Sequence, residues 1–289
     1  MKSGMDTPFT NELSAKEQTA VFKSGTGKGI RLKAMQPFYD FIFKYLVEEA
    51  ELHNGEALLP QNGKPVVIIT SHGPGLAWAP VLALLGKHYV DFGYGDLVGG
   101  MVPHKAVFLV PGLKAYYEKV LGTPTSVSTV DELTRLLKTR EIQVIGTAPE
   151  GANCLLSFKE YVGPFRSRGM IAAAIRGDAD LVLVAHQGAE TWNQQIKLPF
   201  GLSLPNSFGL RGVNIALPPY KKLDHYVAQC KAYKPTMKAR DFKVRSTREC
   251  RLMLHVEAEQ IRAEMNLMTD KVKTLLAGRR MQRLVKQNG

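Results

Sequence analysis

Cysteine is scarce: three residues, at 154, 230 and 250, in a chain of 289. The number is odd, the spacing is wide and no CxxC occurs. That excludes a disulfide framework and a structural zinc site, and makes a cytoplasmic setting the expectation. Long apolar runs are also missing. The longest patches, VVIIT, WAPVLALLG, MIAAAI and LVLVA, fall well short of the ~20 residues that cross a bilayer. Any membrane encounter is therefore expected from the surface. The opening MKSGMDTPFTNELSAKEQT has no continuous apolar stretch, so no secretory signal is expected. Several chemical signatures are absent as well: there is no GxSxG elbow, no HExxH, no Rossmann glycine fingerprint, and no zinc finger or nucleic-acid module. GTGKG at 25–29 lacks the GxxxxGK[ST] spacing and the preceding strand of a phosphate loop.

Acidic residues are the minority charge, 26 against 38 Lys and Arg, for a net +12. The excess is concentrated. Residues 231–289 hold fifteen Lys and Arg against six Asp and Glu. A basic face of this kind attracts anionic lipid, nucleic acid or phosphate-bearing substrates, and also simply solvates the chain. Without a nucleic-acid module, the expectation is no nucleic-acid partner.

Hydrophobic patterning carries the fold. Residues 1–30 read as an irregular segment. MQPFYDFIFKYLVEEAELH, 35–53, has Phe38, Phe41, Ile42, Tyr45 and Leu46 at roughly helical spacing, which predicts a helix. It either crosses the core or lines an interface or acyl site. From residue 65 strands and helices alternate: PVVIIT, then AWAPVLALLG; KAVFLVPGLKAYYEKVLG; DELTRLLKTRE, then IQVIGTAP; FRSRGMIAAAIRGD, then ADLVLVAH. Short buried strands alternating with amphipathic helices predict an α/β fold, a mixed and largely parallel sheet flanked by helices. After Trp192 the pattern loosens, with one strand at GVNIAL. The basic C-terminus then reads as helical, with Leu252, Val256, Ile261, Met265, Met268, Leu275 and Leu276 as the expected core face. The expected division is an α/β domain over 31–225 and a helical extension over 226–289 packing on it.

In sheets of this class chemistry gathers where loops leave the carboxyl ends of strands. Three segments stand there: SHGPG after PVVIIT, APEGAN after IQVIGT, and HQGAETW after LVLVA. They carry His72, Glu150 and His186. His72 sits between a strand and a helix, among Gly73, Pro74 and Gly75, which permit an unusual backbone path. A neutral imidazole there takes a proton from a hydroxyl; alternatively it is an ordinary turn histidine. Glu150 assists acid–base work, binds a hydroxyl or cation, or caps a helix.

Taken in order, HGPGLA (72–77), residues 105–138, APEGANCLLSF (148–158) and RGMIAAAIRGDADLVLVAHQGAETW (168–192) resemble the four blocks of the phospholipid/glycerol acyltransferase superfamily, the lysophosphatidate-acyltransferase-like group. The resemblance covers about residues 65–192. It implies the glycerol-phosphate-acyltransferase-like α/β fold, with helical additions at both ends. It also implies that His72 acts as general base on an acceptor hydroxyl and Glu150 as its partner in the site. Backbone amides around Gly73, Gly75 and Gly151 would stabilise the oxyanion. Asn153, Cys154, Ser126 and His186 become cleft candidates, with Cys154 either a nucleophile or a packed thiol.

The sequence departs from that pattern in three places. The aspartate of the family's HxxxxD block is replaced by Ala77. In a comparable catalytic triad, losing the orienting carboxylate lowers kcat by about 10⁴. Asp91, Asp96 or Glu150 is then the replacement candidate. Ala152 and Asn153 stand where threonine and arginine are usual, and no arginine occurs at 126–128, which argues against a phosphorylated acceptor. The implied activity is acyl transfer from an acyl thioester, on coenzyme A or acyl-carrier protein, to a hydroxyl or amine. Thioester hydrolysis or transfer within a biosynthetic assembly, and a non-catalytic acyl- or partner-binding role, are the alternatives. No metal and no resident cofactor are expected. The partners expected are the thioester substrate, an acidic carrier protein and an anionic membrane met peripherally on its inner face.

Overall fold

The computed structural model describes residues 29–73, 76–102, 129–150, 162–196, 213–216 and 221–288. In chain order the elements are β1 (Ile30–Arg31), a 3-10 turn (Leu32–Met35), α1 (Gln36–Phe41) running into a π turn (Ile42–Leu46), β2 (Val47–His53), β3 (Val66–Thr70) and α2 (Trp78–Asp91). There follow β4 (Val98–Met101), α3 (Val130–Lys138), β5 (Val144–Thr147), α4 (Gly169–Arg176), β6 (Asp180–Gln187), β7 (Asn193–Ile196), β8 (Val213–Ala216), β9 (Leu223–Tyr233), α5 (Asp241–Val244) and α6 (Thr247–Asn288). Seven strands form one sheet in the order β1-β4-β5-β3-β6-β9-β2, and β7 and β8 form a separate pair. Strands β4, β5, β3 and β6 are parallel, β9 runs antiparallel to β6, and β2 runs parallel to β9.

Continuous apolar runs build the middle of this sheet because both of its faces are covered. Val67 and Ile69 of β3 face a cluster with Leu133, Leu136 and Leu137 of α3, Ile171 of α4 and Ile261 and Met265 of α6. Val66 and Ile68 face the opposite cluster, with Tyr39, Ile42, Val81, Leu85 and Tyr89. The period-2 alternation of a strand thus sorts VVII into two cores. At α3 the Thr129 hydroxyl accepts the Glu132 amide at 3.3 Å, the N-cap that TVDE spells.

The structure corrects the reading of 35–53. Helical turns end at Leu46, and VEEAELH is a strand paired with β9. Glu, Ala and Leu favour helix locally, but the pairing and the ion pairs Glu48–Arg283 (2.7 Å) and Glu51–Arg279 (2.7 Å) hold the segment extended. The boundary drawn at 225/226 falls inside β9, an interior strand of the sheet. Helix α6 lies across the sheet. Its buried stripe is Ala258, Ile261, Met265, Met268, Val272 and Leu276, whereas Leu252 and Val256 are 58% and 56% exposed. These two stand in the Arg248 row of the helix, one row away from the stripe. Buried Glu257 locks α6 to the end of β9 by accepting from the Tyr233 hydroxyl (2.7 Å), the Thr236 hydroxyl (2.6 Å) and the Met237 amide (3.1 Å). No described helix is long and apolar enough to cross a membrane.

Candidate functional site

Parallel pairing brings the carboxyl ends of β3, β5 and β6 together. The Ser71 amide extends the ladder by donating to Val184 O at 3.2 Å, and the chain then leaves the sheet at His72. His72 Nδ1 lies 2.9 Å from the carbonyl of Gly73. A carbonyl only accepts, so Nδ1 carries the proton and Nε2 keeps its lone pair. Gly73 has φ +63°, a left-handed conformation that suits glycine; a β-carbon at this position would strain the turn that brings the carbonyl back to the ring. Burial lowers the His72 pKa from its usual value, partly offset by the Gly73 contact. The ring is therefore a neutral imidazole with one defined basic nitrogen.

Among the described residues no carboxylate makes a hydrogen bond or ion pair with the His72 ring. Asp91 and Asp96, the expected replacements, do not occupy that role. Asp91 ends α2, about 20 Å along the helix from its start beside the site, and it pairs with Lys87 at 2.9 Å. Asp96 precedes β4 at the amino end of the parallel strands, where it binds Arg31 (2.8 Å) and Lys33 (2.7 Å). The backbone carbonyl of Gly73 sets the His72 tautomer.

Glu150 follows β5 and is completely buried. Among the described residues neither carboxyl oxygen has a hydrogen-bond partner. Burial pushes its pKa up to about 8, while the backbone amides of Glu150 and His72 and the charge of Arg262 pull it down in part. Those amides face the carboxyl without reaching hydrogen-bond geometry. At neutral pH Glu150 is mainly a carboxylic acid tucked behind the His72 backbone. Its turn is tied down by Pro149 O, which accepts from the amides of Arg166 (2.9 Å) and Ser167 (3.3 Å).

His186, on β6, is also completely buried. Its Nε2 donates to Ser71 O at 2.8 Å, and its Nδ1 lies 2.8 Å from the Tyr226 hydroxyl. The same hydroxyl lies 3.0 Å from the carbonyl of Ala77. Burial lowers the His186 pKa to about 4, so the ring is neutral. One hydroxyl proton thus serves two acceptors, Nδ1 and Ala77 O. The result is a brace on both ends of the SHGPGLA loop: His186 grips Ser71, and Tyr226 grips Ala77. Ala77 itself is buried and offers only its carbonyl. The first turn of α2 supplies fewer free amides than a helix start normally does. The Ala79 amide is taken by Leu76 O at 3.0 Å, and Pro80 has none.

The structure therefore brings His72, Glu150 and His186 to one end of the sheet. Gly75, Gly151, Asn153, Cys154 and Ser126 lie outside the described residues. Sequence reasoning missed Tyr226 and Arg262. Tyr226 sits in an ordinary β9 pattern, and only the β6–β9 pairing, His186 opposite Ala228, brings it to the loop. Arg262 arrives from α6 some 110 residues after Glu150. Its Nε is buried and has no partner among the described residues, while its Nη1 donates to Glu259 at 3.3 Å. No cluster of three His, Cys, Asp or Glu residues suited to a metal ion occurs among the described residues.

Neither a protein-family model nor a curated protein sequence matches the chain. Among solved structures, the crystal structure of the 1-acyl-sn-glycerophosphate (LPA) acyltransferase PlsC from Thermotoga maritima is similar over 85% of this chain and 80% of that one, with 16% sequence identity and a TM-score of 0.47.

Proposed function

We propose that the chain is an acyltransferase that moves an acyl group from a thioester to a hydroxyl or amine acceptor, with His72 as general base. The observation that carries this reading is the His72 imidazole at a strand end, neutral, with Nδ1–H on Gly73 O and Nε2 left as the base. The resemblance of HGPGLA and APEGAN to acyltransferase blocks supports it independently.

In this reading Nε2 removes the acceptor proton as the acceptor atom attacks the thioester carbonyl carbon. The tetrahedral oxyanion calls for backbone N–H donors, for which the amides of Gly73, Gly75 and Gly151 are the sequence candidates. Collapse re-forms the carbonyl, breaks the C–S bond and releases thiolate, which takes the proton from the His72 imidazolium to leave as a thiol. The acceptor ends as an ester or amide. Glu150 has no exposed surface, so it works from behind the loop as a positioning residue, and not on the substrate. The donor is coenzyme A or acyl-carrier protein. The basic C-terminal region suits an acidic carrier or an anionic membrane met peripherally, and carrier pull-down against vesicle flotation separates the two.

The test is thiol release from acyl-coenzyme A and acyl-carrier donors of several chain lengths, comparing wild type with His72→Ala. Release that depends on His72 and on an added metabolite extract is the expected result. His72-dependent release without any acceptor identifies hydrolysis instead. Absence of release from both donors refutes a catalytic role.

A further inference from the structure

A second concavity lies outside the residues of the candidate site, between the start of α4 and the first turns of α6. It is a groove of about 460 Å³ lined by Arg168, Thr247, Arg248, Arg251, Leu252 and His255. Its lining residues include three arginines, whose stems and Leu252 give it a largely apolar floor, and no acid. Several arginines elsewhere are matched: Arg31 to Asp96, Arg176 to Asp131, Arg279 to Glu51, Arg283 to Glu48. Among the described residues Arg168, Arg248 and Arg251 have no acidic partner. The acids close by in sequence are already engaged: Glu257 holds the end of β9 and Glu259 pairs with Arg262. Glu249 accepts from the Ser246 amide (2.8 Å) and hydroxyl (2.7 Å), and Asp241 takes Arg245.

The groove is also ordered for binding. Arg248, Arg251 and His255 follow an i, i+3, i+7 pattern and share one face of α6. Arg168 Nη2 lies 3.0 Å from His255 Nδ1. A guanidinium only donates, so Nδ1 is the acceptor and Nε2 carries the ring proton. That contact fixes the Arg168 guanidinium and leaves the imidazole with one N–H donor. Three like charges gathered around one groove repel one another unless an anion joins them. The Thr247 hydroxyl and the positive end of the 42-residue helix α6 add to the same field. Leu252, largely exposed, supplies an apolar contact beside the cations.

We propose that this groove binds an anionic phosphate ester, with an apolar or ring portion resting on Leu252. Guanidinium forks match phosphoryl oxygens bidentately, and the volume exceeds what a single small anion fills while suiting a phosphorylated small molecule or headgroup. The assignment stands on the groove alone and does not depend on the acyl-transfer reading.

The test uses the full chain. Inorganic pyrophosphate is titrated calorimetrically into wild type, Arg168→Gln and the double variant Arg248→Gln/Arg251→Gln, and each protein is cosedimented with phosphatidylglycerol and with phosphatidylcholine vesicles. These arginines are exposed, so circular dichroism and Tm should stay unchanged; Lys273→Gln, two to three turns further along α6 than Glu264, controls for general loss of charge. Loss of pyrophosphate affinity by about tenfold or more in the double variant, and less in Arg168→Gln, supports a soluble phosphate ester. Arginine-dependent binding to phosphatidylglycerol vesicles alone supports a lipid headgroup. If neither probe binds wild type, or if the double variant binds both as wild type and Lys273→Gln do, the groove is not a phosphate site.

Discussion

Replacing Glu150 by glutamine tests the burial argument without requiring any knowledge of substrate. The carboxyl is completely buried and titrates near 8 in the folded chain against an ordinary 4.5. Between those values the folded state holds a proton that the unfolded state has released, so stability falls as pH rises. The loss begins near the unfolded value and is complete above the folded one. Taking about 8 and 4.5, linkage gives a wild-type loss of about 3 kcal/mol between roughly pH 5 and pH 8. Glutamine keeps the size and one acceptor but cannot ionise, so Glu150→Gln should lack this decline. The assay is urea denaturation at half-unit steps from pH 5 to pH 9, with the wild-type-minus-variant difference removing groups common to both. His186 and His72 have lowered pKa values, and their own loss of stability comes as pH falls, the opposite sign. A flat difference across this range would refute a neutral, buried Glu150.

Three further outcomes follow from the geometry. Tyr226→Phe removes the hydroxyl between Ala77 O and His186 Nδ1; unpaired buried acceptors cost about 1–3 kcal/mol, measurable by denaturant unfolding, and unchanged stability would mean that the brace contributes nothing. Gly73→Ala places a β-carbon at φ +63°, a strain of about 1–2 kcal/mol, and should shift the pH response of the His72 ring by NMR because its carbonyl partner moves; an unmoved resonance would contradict carbonyl control of the tautomer. Glu257→Ala leaves the Tyr233 and Thr236 hydroxyls and the Met237 amide without their acceptor, and should raise amide exchange selectively at the junction of β9 and α6 while lowering stability by roughly 2–4 kcal/mol.

The strands at 66–70, 144–147 and 180–187 were legible because buried parallel strands need unbroken apolar runs, and helices α2, α3 and α4 because their amphipathic spacing or small apolar composition leaves little alternative. The strand at 47–53 was illegible for the opposite reason. VEEAELH has helix-forming residues and no apolar run, and it becomes a strand through β9 and the arginines of α6, which lie more than 170 residues away. Likewise Leu252 and Val256 share helical spacing with the core stripe, but which rows of α6 meet the sheet depends on where the helix docks.

At the candidate site the sequence alone placed His72, Glu150 and His186 at the carboxyl ends of three strands, since apolar runs and the glycines that follow them are local signals; that these strands are neighbours was decided by their pairing. The sequence also showed that Ala77 carries no carboxylate. What holds the His72 ring and its loop was decided only by tertiary structure. The Gly73 carbonyl turns back on the His72 ring, and Tyr226 and His186 hold the loop at both ends. A hydrogen-bond partner is chosen by three-dimensional proximity, and backbone carbonyls, which every residue possesses, leave no mark in the order of side chains.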